Sequence, residues 1–183
     1  MERNVAQIAL FAALIAALGA IPQITLAFGI PITAQSMGVM LAGAVLGARR
    51  GFLSMLLFLL LVAIGLPLLA GGRGGLGAFV APTSGFLIAF PFGAFVTGLF
   101  VEHVRLRPIG LRAGLGAVLG GVLVLYAFGV VGMSIGLGKS IPECVKLVLA
   151  FLPGDLLKAA VTGMLVAALA RARPQSVAWS QSA

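Results

Sequence analysis

Apolar residues run through this chain in long stretches, and its polar positions gather at a few breaks between them. The apolar runs fall at about residues 5–21, 34–48, 52–67, 84–103, 111–134 and 153–170. The breaks fall at Ile21-Pro22, Gly29-Ile30-Pro31, Arg49-Arg50-Gly51, the stretch from Pro67 to Pro82, Arg105 to Pro108, and Gly136 to Pro142. These are places where proline, glycine or paired charges interrupt a helix. A helix crosses the hydrocarbon core in about 20 residues, so six runs with short loops account for nearly the whole chain. The expectation is an all-α integral membrane protein: one domain over residues 1–173, and a tail, 174–183, that includes Trp179 and reads as disordered.

Composition agrees. Of 183 residues 61% are hydrophobic and 9% charged, and the mean hydropathy of +1.21 makes water an implausible solvent. Cys144 stands alone, which excludes an internal disulfide and supplies no metal-ligand set, so it reads as a small apolar filler.

The net charge of +8 does not point to nucleic acid, because the basic residues come in ones and twos without interleaved aromatics. It sets orientation instead, since Lys and Arg accumulate in cytoplasmic loops. With the N-terminus inside, Arg3, Arg49, Arg50, Arg105, Arg107, Arg112, Arg171 and Arg173 fall inside and Arg73 and Lys139 outside, with Lys146 and Lys158 left to be explained. Six spans with both termini cytoplasmic satisfy this count. The first run ends in the small residues Ala17-Leu18-Gly19-Ala20 but is long for a signal peptide, so it reads as a retained span.

Small residues let membrane helices approach closely. The first run has two such rows, Ala9-Ala13-Ala17 and Ala12-Ala16-Ala20, on one broad face that can dock another membrane protein. Gly43/Gly47, Gly116/Gly120 and Gly163/Ala167 read as internal packing. The segment Gly71-Gly72-Arg73-Gly74-Gly75-Leu76-Gly77 contains a formal G-x-G-x-x-G, but no βαβ unit surrounds it and it maps outside the cell. As a loop between two spans it is either a flexible lid over a pocket or a plain connector.

Two ionisable residues fall inside the last run. Pro153 suits a first helical turn, so Asp155 sits where the helix dipole favours its charge, with Lys158 at i+3 on the same side. Residues 141–151 then form a short interfacial helix that leaves Glu143 and Lys146 near water. Ionisable groups at membrane depth are costly unless paired or facing a cavity, so the pair marks a functional site or a structural ion pair. A carboxylate accepts N–H bonds and an ammonium donates to a carbonyl, and a cyclic urea or amide presents both complements side by side.

Catalytic machinery is not expected. No paired carboxylates are deep in the chain, His103 stands alone at the end of the fourth run, and Ser54, Ser84 and Ser134 have no histidine in reach. No P-loop is present, so ATP-driven transport needs other subunits. The residues alone leave open a membrane subunit that binds a small ligand at Asp155/Lys158 and a non-transport membrane protein in which the pair is structural.

The runs Ile30-Pro31-Ile32-Thr33-Ala34-Gln35, Gly65 through Gly75, Ala81-Pro82-Thr83-Ser84-Gly85-Phe86 and Phe151-Leu152-Pro153-Gly154-Asp155-Leu156-Leu157-Lys158 resemble, in order, the signature blocks of the BioY family. These are the biotin-binding S-components of energy-coupling factor (ECF) transporters. The resemblance implies a six-helix S-component bundle in the bacterial cytoplasmic membrane and an outward pocket capped by loops. It implies biotin as ligand with no cofactor of the chain's own, and assembly with a transmembrane T-component and ABC ATPases that use the ATP. It makes Asp155 an acceptor for a ureido N–H and Lys158 a donor to the ureido oxygen or the carboxylate, with Gln35, Arg73, Thr83 and Tyr126 as further polar contacts. The Ala-rich first helix, Ala9, Ala12, Ala13, Ala16, Ala17 and Ala20, resembles the docking face for the T-component. Two departures stand out. Gly71 and Gly72 replace a polar asparagine of some relatives, and Phe86 stands where a tyrosine is usual.

Overall fold

The computed structural model describes residues 2–25, 31–177 and 179. Helix α1 (Glu2–Gly19) leads to a small antiparallel ribbon of β1 (Ile24–Thr25) and β2 (Pro31–Ile32), with Ile24 opposite Ile32. Gly29 and Ile30, part of the second expected break, lie outside the described residues. Then come α2 (Gln35–Leu46), α3 (Ala48–Ala63), a 3-10 turn (Leu76–Phe79) and α4 (Ser84–His103). Helix α5 (Ile109–Val118) runs through a π-helical segment (Leu119–Val124) into α6 (Leu125–Leu137), and α7 (Ile141–Leu149) and α8 (Leu152–Ala172) complete the bundle.

Among the described residues, four helices are long and apolar enough to cross a membrane: Glu2–Gly19, Ser84–His103, the continuous Ile109–Leu137 and Leu152–Ala172. Helix α2 is shorter but apolar, and every residue from Gly38 to Leu46 except Leu41 is buried, so its backbone is enclosed by neighbours rather than lipid. Helix α7 exposes Glu143 and Lys146 and buries Cys144 and Val148.

The second and third runs join differently from the expectation. Arg49 and Arg50 lie in the first turn of α3 rather than in a loop, because a single residue, Gly47 at φ 81°, reverses the chain. A Cβ at Gly47 would collide with the Glu102 carboxylate. That carboxylate reaches over from the end of α4 and accepts the Ala48 N–H at 2.9 Å, capping α3. Arg50 Nη1 in turn donates to Gln7 Oε1 at 2.8 Å and Asn4 Oδ1 at 3.2 Å. Bare glycines bring α4 against the π segment, where a Cβ on Gly120 would meet the Gly93 carbonyl and Thr97, and one on Gly121 would meet Met40.

The tail corrects a second expectation. Residues Pro174–Ser176 form a 3-10 turn, and Val177 and Trp179 are buried. Trp179 Nε1 donates to the Ala44 carbonyl at 2.7 Å, and the Arg112 guanidinium lies 4.3 Å from the indole centroid. Arg112, expected among the loop charges, sits inside α5 at 2% exposure. The described part of the tail therefore belongs to the bundle, and the boundary at 173 does not hold. Residues 178 and 180–183 of the expected tail lie outside the described residues. An aromatic ring that buries its area, partners its N–H and covers a cation outweighs the freedom of a short tail.

Trp179→Ala is expected to lower the unfolding free energy by about 3–5 kcal/mol, seen as a lower melting temperature in detergent. Trp179→Phe keeps a ring but loses the N–H, and is expected to cost about 1 kcal/mol.

Candidate functional site

One end of the bundle opens into a cleft with about 820 Å³ of atom-free space, its mouth included. The start of α2 contributes Thr33, Gln35 and Ser36, the loop after α3 contributes Leu69, Arg73 and Ala78, and the start of α4 contributes Thr83, Phe86, Leu87 and Phe90. Leu125 and Tyr126 come from α6, and Phe151, Asp155 and Lys158 from the start of α8. The walls are thus mostly apolar with a few convergent polar groups, as small-molecule sites are. The opposite end carries the start of α1, the α2–α3 and α4–α5 junctions and the end of α8, where Arg3, Arg49, Arg50, Arg105, Arg107, Arg171 and Arg173 sit.

Asp155 is the centre of the polar cluster. Pro153 opens α8 as expected, and the Asp155 N–H donates to the Phe151 carbonyl at 2.9 Å. Its side chain, within a residue only 7% exposed, accepts from Lys158 Nζ at 2.8 Å and from Ser36 Oγ at 3.3 Å on Oδ1. On Oδ2 it accepts the Tyr126 hydroxyl at 2.8 Å. Lys158 Nζ also donates to the Thr33 carbonyl at 2.8 Å and to Ser36 Oγ at 2.9 Å. All three ammonium hydrogens are therefore in use. What remains open is acceptor capacity, on Asp155 Oδ2 and on the Tyr126 oxygen.

The turn widened by the π segment directly precedes Tyr126 and sets the direction in which its ring leaves α6. Phe86 meets that ring edge to face, with centroids 6.4 Å apart. Phe86 reaches this place because Gly129 is bare, since a Cβ there would run into the phenyl ring. Phe86, Phe90 and Phe151 give the cleft flat apolar walls suited to a ring-shaped ligand.

The other expected contacts divide. Arg73 is exposed and lines the cleft, with Nε donating to the Ala70 carbonyl at 3.2 Å. Thr83 lines the cleft just before α4. Gln35 differs from the expectation of a ligand contact, because its amide is consumed by backbone. Nε2 donates to the carbonyls of Ile15 and Leu68, and Oε1 accepts the Ala70 N–H, all at 3.1 Å. Ser36 was not anticipated, since a serine in the first turn of an apolar helix carries no mark that separates it from a packing residue.

A family model described as the BioY family matches residues 2–175. The chain belongs to the BioY family. It is 54% identical to a protein from Rhodobacter capsulatus named Biotin transporter BioY, covering 97% of this chain and 98% of that one. It is 51% identical to a protein of the same name from Rhizobium etli, covering 89% and 90%. The fold matches a crystal structure of the S-component for biotin from an ECF-type ABC transporter, with TM-score 0.87 and 32% identity over 92% of this chain and 91% of that one. BioY is a family of transporter subunits, not enzymes.

The alanine rows of this BioY chain do not share one face. Ala9, Ala13 and Ala17 are exposed along α1, and Ala20 is exposed just beyond its end. Ala12 is 1% exposed and belongs to the core, and half-buried Ala16 packs against that core. The exposed alanine surface is therefore narrower than the two rows expected, because α1 turns its Ala12/Ile15 side toward the bundle.

Lys158→Met leaves the Asp155 charge inside the bundle without its cation. It is expected to destabilise the protein by about 3 kcal/mol in chemical denaturation in detergent, and the double variant Asp155→Asn/Lys158→Met to regain more than half of that loss.

Proposed function

We propose that this chain is the substrate-binding membrane subunit of a biotin uptake transporter, taking biotin at the outer face and delivering it inward with an ATP-driven ECF module. The observation that carries the reading is the open acceptor position on Asp155 Oδ2, beside the Tyr126 hydroxyl, in a cleft walled by Phe86, Phe90 and Phe151. A ureido N–H directed at Oδ2 gains a charge-assisted bond while the fused rings lie among Phe86, Phe90 and Phe151. Lys158 reaches a ligand oxygen by giving up one of its present acceptors, and the Thr33 carbonyl, in a loop, is the one most readily released. Arg73 at the mouth suits the carboxylate of the valeryl tail.

In this reading α1, α2, α3, α4, the continuous α5–α6 helix and α8 make six passes with both termini in the cytoplasm. The arginine-rich end then faces inward and the cleft faces out, as the distribution of positive charge favours. The membrane is the bacterial cytoplasmic membrane. The partners are a transmembrane T-component, which meets the exposed row Ala9, Ala13, Ala17 and Ala20 of α1, and the ABC ATPases, which supply the nucleotide chemistry. The loop from 64 to 79 acts as the lid, since Leu69, Arg73 and Ala78 form one wall of the cleft.

Mass spectrometry of small molecules released from the denatured, detergent-purified protein is expected to find biotin. Titration calorimetry is expected to show one site for biotin and none for a ring-opened, urea-free analogue; a protein that ignores biotin overturns the reading. Asp155→Asn should weaken biotin at least about a hundredfold, because the amide keeps a single acceptor oxygen and its NH2 cannot receive a ligand N–H. Tyr126→Phe should weaken it about tenfold. Replacing Ala13 and Ala17 with leucine should abolish co-purification with a T-component and leave biotin binding intact.

A further inference from the structure

We infer that Gln35 is a positioning residue that latches the 64–79 loop shut over the cleft and ties that closure to α1. The inference rests on reading the cleft as a ligand site. It begins from where one amide spends its hydrogen bonds. Gln35 is 2% exposed, in the first turn of α2. One Nε2 hydrogen goes to the Ile15 carbonyl, inside α1, and the other to the Leu68 carbonyl, while Oε1 takes the Ala70 N–H. Among the described residues the Leu68 carbonyl and the Ala70 N–H find no other partner, so without Gln35 both are stranded next to an apolar core.

The same spot is shaped by a missing side chain. The Leu68 carbonyl rests on Gly19, the last residue of α1, where a Cβ would collide with it and would also crowd the Gln35 amide, with Nε2 at 2.8 Å. The loop thus touches α1 and α2 at one point. On the far side of that point Ser36 bonds both Asp155 and Lys158. Four elements, α1, α2, α8 and the loop, meet within two consecutive residues.

Elsewhere the loop is held mainly by packing, with Leu69 buried in the core and Leu68, Ala78 and Phe79 against it. Gly71, Gly72 and Gly75 have φ of 79°, 70° and 76°, and the turn is closed on itself by backbone bonds between Leu69 and Arg73. Among the described residues its hydrogen bonds to the rest of the bundle near the cleft are the Gln35 bonds and a Gly75 N–H to Val62 carbonyl bond at 2.8 Å. Losing the two Gln35 bonds therefore favours the open loop, and ligand then leaves faster.

The test uses Gln35→Met, which keeps length and removes every hydrogen bond, and Gly19→Ala, which keeps the amide and pushes the Leu68 carbonyl away. Hydrogen–deuterium exchange of the ligand-free, detergent-purified protein reads the loop without needing any ligand. Both variants are expected to speed exchange across residues 66–79 about tenfold or more, with the middle of α4 unchanged, and to speed biotin dissociation by a similar factor. Unchanged loop exchange with only a lower melting temperature overturns the inference and leaves Gln35 a packing residue. Faster loop exchange with unchanged biotin dissociation overturns the gating role. A wild-type protein that ignores biotin removes the biotin reading alone, and the ligand-free exchange still decides the latch.

Discussion

A carboxylate held inside an apolar bundle dictates much of what surrounds it. Asp155 is stable there only because its oxygens are met by donors from three other residues, Lys158, Ser36 and Tyr126. Each donor brings a requirement of its own. Lys158 fixes the loop before α2 through Thr33, Ser36 fixes the first turn of α2, and Tyr126 fixes the face of α6 turned inward by the preceding π segment. The geometry of the cleft is in this sense the geometry of one charge and its donors, with aromatic rings filling what is left.

Much of the fold is legible in the sequence because membranes impose a length on apolar segments. The long runs become α1, α4, α5–α6 and α8 with ends shifted by a few residues, and Pro153 marks the start of α8 closely. The i, i+3 spacing of Asp155 and Lys158 puts them on one face of a helix within reach of each other, and they meet there at 2.8 Å.

What stays hidden depends on distant partners. The tight turn at Gly47 needs Glu102, far along the chain, to cap α3. The π segment leaves no local mark beyond a pair of glycines that equally suit close packing. Gln35 looks like a free amide until the backbone of two other segments is in view. The tail looks polar and short until Ala44 and Arg112 offer Trp179 a socket. In each case the deciding group comes from another part of the chain, where pattern and propensity do not reach.

The socket for Trp179 also says something about the order in which the protein becomes complete. Ribosomes make the chain from the N-terminus, and Trp179 emerges after every helix it touches. Until then Arg112 must stand in α5 without its aromatic cover, and the groove beside Ala44 is open. The bundle therefore reaches its final packing around Ala44 and Arg112 only once Trp179 has followed them out of the ribosome, so this part of the core closes from its C-terminal side.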